Sequence, residues 1–244
     1  MVTLRRTDTL STLVDQAATS LVDVVSSLQT TGLGRHGDGV ARIVLTGGGA
    51  GIGLLERVRE LEDADPRVDW SRVHVYFGDE RNVPATHADS NEGQARRALL
   101  DHVDIPEDNI HGYGLGQAAL QDAADAYQDI ISRTAPRGFD IHLLGMGHEG
   151  HINSLFPDTD AVREAERLVV AVPDSPKPPA ERVTLTLPAV HRAEQVWLLV
   201  SGGNKAEAAR HVVAGSDPVE WPAAGATGIE DTVLYLSDDA AGLL

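Results

Sequence analysis

Residues 40–63 read "VARIVLTGGGAGIGLLERVRELED", and this stretch decides the fold. VARIVLT (40–46) is a short apolar run bounded by glycine, the pattern of a strand buried on both faces. IGLLERVRELED (52–63) reads as a helix, and GGGAG (47–51) joins the two. Consecutive glycines permit a tight strand-to-helix turn.

The same alternation extends outward in both directions. Upstream, Leu10, Leu13, Val14, Ala17, Leu21, Val22, Val25 and Leu28 recur at three- and four-residue steps. They mark one face of an amphipathic helix from about Asp8 to Leu28, which GLGRHGDG (32–39) breaks. Downstream, VHVYFG (73–78) is a strand and NEGQARRALLDH (91–102) a helix with Asn91 as its expected N-cap. A helix is predicted over 118–135 and a strand over 139–145. Further strands are predicted over 167–172, 182–187, 195–202 and 232–237, with a helix over 204–215 and a short terminal helix. Strands alternating with helices predict an α/β class: a Rossmann-like, mostly parallel sheet with helices on both faces. With no internal repeat or low-complexity linker, residues 1–244 are expected to form a single domain. Proline-rich PDSPKPPAE (173–181) is expected as a surface loop.

Composition narrows the class of partner. The chain has 244 residues, 42% of them hydrophobic, a net charge of −17 and no cysteine. That charge repels nucleic acid, while local arginines still set the sign inside a pocket because bulk charge is screened over roughly 8 Å. No apolar run reaches the roughly 20 residues that span a bilayer. Met-Val-Thr-Leu-Arg-Arg lacks the apolar core of a signal peptide, so a cytoplasmic location is expected. The absence of cysteine excludes disulfides and thiolate chemistry. Nothing in the composition specifies an oligomeric state.

In a parallel α/β sheet, ligands sit beyond the carboxyl ends of the strands. Four polar or glycine-rich loops fall there: TGGGAG (46–51), GDERNVP (78–84), GMGHEGH (145–151) and SGGNK (201–205). The first places backbone N–H groups at a helix start, a way to hold phosphate. Its spacing fits neither a Walker A loop nor a dinucleotide fingerprint. Lys205 opens a helix, where a cation opposes the dipole unless an anion lies between them. Arg81, just past a buried strand, is a candidate for bidentate anion binding, and Asp79 for orienting it or binding a hydroxyl. Glu80 is expected on a solvated face, and Ser90 and Asn91 in helix capping.

GMGHEGHINSLFP (145–157) holds two histidines and a glutamate. His148 and His151 are three apart with Gly150 between, unlike the four-residue spacing of a zinc-binding helix, and no third ligand is evident. No metal is therefore expected. His151 is placed to take a proton from water near neutrality, with Glu149 available to orient the ring and His148 peripheral. INSLFP is expected to form a short helical turn.

Together, LTGGGAGI, VYFGDERNVP with HADSN, DIHLLGMGHEGHINSLFP, ERVTLTLP and VSGGNKAEA resemble, in this order, the 6-phosphogluconolactonase family. The terminal segment from WPAAGATG to LYLSDDAAGLL is similar as well, so the likeness covers about residues 40–241. It implies the fold shared with glucosamine-6-phosphate deaminases and sugar-phosphate isomerases. It further implies hydrolysis of 6-phospho-D-glucono-1,5-lactone to 6-phosphogluconate, a small anionic sugar-phosphate substrate in the oxidative pentose phosphate pathway, with no metal or organic cofactor. By the same resemblance His151 is the base, Arg81 and Arg182 lie near the substrate, and Gly48, Gly49 and Lys205 belong to the phosphate-binding parts. Relatives commonly carry aspartate where this chain has Glu149, which keeps the carboxylate and lengthens its reach.

Two other readings remain. An amino-sugar-phosphate deaminase/isomerase on the same fold needs extra acid–base groups, and in deaminases the motif typically continues Ile-Ala-Phe-Asn-Glu-Pro. Here it continues Ile152-Asn153-Ser154-Leu155-Phe156-Pro157, without an acid. A non-catalytic sugar-phosphate sensor would keep the glycine loops, Arg81 and Lys205 and would not need His151.

Overall fold

A computed structural model describes residues 2–116 and 119–244. In chain order the first half comprises β1 (Val2–Thr7), α1 (Leu10–Thr31), β2 (Ala41–Leu45), α2 (Gly48–Ala64), β3 (Val73–Phe77), β4 (Asp79–Arg81), α3 (Asn91–Ala98) and β5 (Ile110–His111). The second half comprises α4 (Leu120–Thr134), β6 (Phe139–Gly145), α5 (Asp160–Arg163), β7 (Val169–Val172), β8 (Arg182–Leu185), α6 (Leu187–Val190), β9 (Ala193–Val200), α7 (Ala206–Ala214) and β10 (Asp231–Ser237). Seven strands form one sheet in the order β1-β10-β9-β6-β2-β3-β5, and every pairing in it is parallel. β2 and residues 139–144 of β6 are buried throughout, as strands covered on both faces must be.

Helix boundaries follow local chemistry. α1 starts at a capping box between Thr9 and Thr12 and ends at Gly32, whose φ of 68° is a left-handed C-cap. Six of its eight predicted face residues are buried; Leu10 is exposed and Val14 only half-buried. Ser90, not Asn91, caps α3: its hydroxyl accepts from Gly93 N–H, and Asn91 is the first helical residue. The expected helix over 118–135 appears as α4; its first predicted residue, Ala118, lies outside the described residues.

Two further expectations are corrected, and two strands carried no sequence signal. Residues 167–172 and 182–187 do not join the parallel sheet. Their β7 and β8 pair antiparallel and, with β4, form a separate three-stranded sheet. β4 itself has only three residues, too few for a periodic signal. β1 was also unmarked: four of its six residues are exposed, so it is an edge strand held by backbone pairing to β10 rather than by burial. The terminal segment forms turns rather than a helix, with Ala241 N–H donating to Ser237 and Asp238 carbonyls.

β6 carries an unusual core residue. His142 is fully buried between β2 and β9, and neither ring nitrogen has a hydrogen-bond partner among the described residues. Burial pushes its pKa from 6.5 down to about 3. His111, buried under Tyr76 and facing His74 Nδ1 at 2.9 Å, is pushed down to about 4 by burial and then by His74. Groups whose folded pKa is depressed stabilise the neutral-pH fold fully above pH 6.5, and that stability is lost as pH falls through about 4 toward about 3. His142→Leu is expected to remove part of this loss. Urea unfolding near neutrality and at about pH 5 should show a smaller drop in midpoint for the variant than for the parent.

Candidate active site

Strand order reverses between β2 and β6: from β2 the chain adds β3 and β5 on one side, and from β6 it adds β9 and β10 on the other. The connections leaving these two strands diverge and open a crevice at their carboxyl ends. A cleft of about 170 Å³ lies there, lined by Gly48, Gly49, Asp79, Arg81, His151, Arg182 and Lys205 among others. All sequence-predicted site residues except Glu149 therefore face one space. Glu149 stands directly behind His151.

Each wall has a local cause. At the start of α2, Gly48 has a φ of +77°, and a Cβ on Gly48 or Gly49 would meet nothing within 4 Å. The turn thus presents bare backbone to the cleft at a helix N-terminus. Gly51 is required for closeness, since a Cβ there would lie 2.4 Å from the Thr46 carbonyl oxygen. The Thr46 hydroxyl in turn accepts from Gly145 N–H and ties the β2 and β6 termini together. Lys205 enters from the short 3₁₀ turn Gly203–Lys205 ahead of α7. Burial lowers its pKa, and nearby Lys177 adds to the effect.

His151 sits on an open turn of glycines. Its ring stacks on buried Phe156 at 4.5 Å between centroids. A Cβ on Gly147 would lie 2.0 Å from His151 Nδ1, so that glycine makes room for the ring. His151 Nδ1 is 3.1 Å from Glu149 Oε2, and Lys177 Nζ is 2.6 Å from Glu149 Oε1. Lys177 Nζ also lies 3.3 Å from His151 Nδ1. Burial depresses the His151 pKa; Glu149 opposes this and Lys177 reinforces it. Burial acts to raise Glu149, but Lys177 and the histidine outweigh it and bring the carboxyl down to about 2. His148 has a largely exposed side chain, with Nδ1 3.4 Å from Glu149 Oε2. INSLFP forms a tight turn closed by an Ile152–Leu155 bridge, not a helical one, and Asn153 takes a left-handed φ of 49°.

The small antiparallel sheet supplies the opposite wall. Arg81 of β4 and Arg182 of β8 are cross-strand partners. Asp79 accepts from Ser154 Oγ at 2.6 Å and from Asn91 Nδ2 at 2.9 Å. Arg182 is 4% exposed and already donates to the Pro179 and Lys177 carbonyls and to Ser154 Oγ, so it fixes the 173–181 loop while it borders the cleft. Arg81 is less enclosed, and its guanidinium donates to Asn91 Oδ1. Glu80 is not solvated as expected. It is 4% exposed and accepts from Arg81, Asn91 and Glu92 N–H and from the Ser90 hydroxyl. Burial raises its pKa against those four bonds.

The profile described as "Glucosamine-6-phosphate isomerases/6-phosphogluconolactonase" matches residues 9–235. The chain belongs to this family. A Mycobacterium tuberculosis protein named 6-phosphogluconolactonase is 52% identical over 215 residues, covering 84% of this chain and 86% of that protein. The solved 6-phosphogluconolactonase of Trypanosoma cruzi superposes with a TM-score of 0.82 at 26% identity, over 100% of this chain and 97% of that one. A monomeric glucosamine-6-phosphate deaminase superposes at 0.81 with 21% identity over 100% of both chains, a likeness of fold.

Within this family fold, Asn91 in the cleft lining and Lys177 behind it went unread in the sequence. Lys177 lay in a proline-rich stretch that reads as a surface loop; in the fold Arg182 bonds to that loop's carbonyls and the amine reaches Glu149. Asn91 had a sufficient alternative reading as a cap, which Ser90 takes instead. Among the described residues, no group of three or more His, Cys, Asp or Glu is placed to hold a metal ion, and no helix is long and apolar enough to cross a membrane. Glu80→Ala would orphan the Ser90 hydroxyl and the Asn91 and Glu92 N–H groups at the start of α3, and the Arg81 N–H on β4. It is expected to lower unfolding free energy by roughly 2–4 kcal/mol, read by urea denaturation.

Proposed function

We propose that the chain is a 6-phosphogluconolactonase, hydrolysing 6-phospho-D-glucono-1,5-lactone to 6-phosphogluconate in the oxidative pentose phosphate pathway. The observation that carries this reading is a half-buried histidine, backed by a carboxylate and an ammonium, facing a small cleft rimmed by Arg81, Arg182 and Lys205. Residues 1–244 act as a single α/β domain in this reading, and a cytoplasmic setting suits a phosphorylated substrate.

The chemistry follows from the parts. Lys177 engages one oxygen of Glu149 and leaves the other to favour a proton on His151 Nδ1. Nε2 then keeps its lone pair and takes a proton from water as the water oxygen attacks the lactone carbonyl carbon. A depressed pKa keeps the ring neutral, hence basic, at pH 7. As the tetrahedral intermediate collapses, the bond from that carbon to the ring oxygen breaks, and the imidazolium returns the proton to the departing oxygen. Arg81 is the cleft cation with donors to spare for the anionic substrate. Cross-strand arginines repel unless an anion lies between them, which suits an anionic substrate. Gly48, Gly49 and Lys205 hold the phosphate away from the reacting carbon, so that binding energy is spent on orientation. Deaminase/isomerase chemistry is the less supported reading, because Phe156, not an acid, stacks against His151.

Turnover is measured with freshly generated lactone, corrected for spontaneous hydrolysis and with chelator present. His151→Ala is expected to lose most activity; unchanged turnover would sink the base assignment. Arg81→Ala and Lys205→Ala are expected mainly to raise KM. The acid limb of kcat/KM should lie below pH 6.5, where protonation removes the base. Glu149 raises the histidine pKa and Lys177 lowers it, so Glu149→Gln should move that limb to lower pH and Lys177→Met to higher pH. Shifts of the same sign in both variants would contradict the arrangement.

A further inference from the structure

We propose that Asn91 is a positioning residue that holds Arg81 and Asp79 as one rigid substrate-facing unit and keys that unit to the glycine turn of the phosphate site. This rests on the reading of Arg81 and Asp79 as substrate contacts.

Asn91 is 3% exposed and borders the cleft from the first position of α3. Asparagine beside a helix start ordinarily spends its side chain on capping, but Ser90 has taken that role and released the amide. All of the amide's polarity turns toward the site instead. Oδ1 accepts from Arg81 Nη1, while Nδ2 donates to Asp79 Oδ1 at 2.9 Å and to the Asp79 carbonyl at 2.8 Å. The same Oδ1 lies so close to the β2–α2 turn that a Cβ on Gly47 would come within 2.1 Å of it. One side chain therefore touches β4 at both ends and the turn that begins with Gly47.

An amide suits this place for a physical reason. It offers an acceptor to the guanidinium and donors to the carboxylate, so each group is held without the two neutralising each other in a direct pair. The guanidinium keeps its remaining N–H groups for an anion, and the carboxylate stays on its own bearing. Aspartate at 91 would still accept from Arg81 but would set a second carboxylate against Asp79. An aliphatic residue would hold neither group.

The test is a double-mutant cycle on lactone hydrolysis with Arg81→Ala, Asn91→Ala and the pair together, each variant also checked for thermal unfolding. Asn91→Ala is expected to lower kcat/KM about tenfold or more in the parent, chiefly through KM, and far less when Arg81 is already alanine. Asn91→Ser serves if the alanine variant unfolds early, since it too lacks the amide. Millimolar guanidinium should partly restore Arg81→Ala while Asn91 is present to seat it, and fail in the double variant. Equal losses from Asn91→Ala in both backgrounds, or equal rescue with and without Asn91, would overturn the positioning role and leave the lactonase reading standing. Full activity in Arg81→Ala would overturn the substrate-contact reading and this proposal with it.

Discussion

Parallel pairing of β2 with β6 is the constraint on which the rest of the molecule depends. At this pair the strand order reverses, so the chain leaves the two strands in opposite directions and cannot close over their carboxyl ends. Both strands finish in glycine-containing turns, one presenting backbone at a helix start and the other carrying Glu149 and His151. The Thr46 hydroxyl, accepting from Gly145 N–H, holds these ends in register. The crevice is thus a product of topology, and the side chains only furnish it.

The furnishing solves an electrostatic problem. A chain with a net charge of −17 gathers Arg81, Arg182 and Lys205 in one cleft, with Lys177 behind His151. Its nearby acids are engaged: Asp79 by Asn91 and Ser154, Glu149 by Lys177, and Glu80 by Arg81 N–H and three donors at the start of α3. The local field is therefore set by the cations despite the acidic surface. The second, antiparallel sheet makes this possible. It brings β4 and β8, about a hundred residues apart in sequence, into register so that Arg81 and Arg182 face each other across the strands.

Much of this was legible in the sequence, because its signals are local. Apolar runs bounded by glycine marked the strands of the parallel sheet from β2 onward apart from two-residue β5, three- and four-residue steps marked α1, and the position of each loop after a strand marked the rim. The histidine motif and its sequel without an acid were likewise visible as residues in order. Other features left no local trace. β1 is held by pairing to β10 with little burial, so it has no hydrophobic period to read. β7 and β8 look like any other strands, since short apolar runs do not say which sheet receives them.

The sequence by itself determined the α/β class and marked the rim of the candidate site and its base candidate, since these depend on residue type and on spacing along the chain. Only the tertiary structure decided the partners. It buried Glu80, which composition would leave in water, freed Asn91 from capping by giving that task to Ser90, and drew Lys177 from a proline-rich loop to Glu149. The physical reason is the same in each case. A polar side chain takes the partner that burial brings near it, and nearness between residues tens of positions apart is a property of packing, not of sequence.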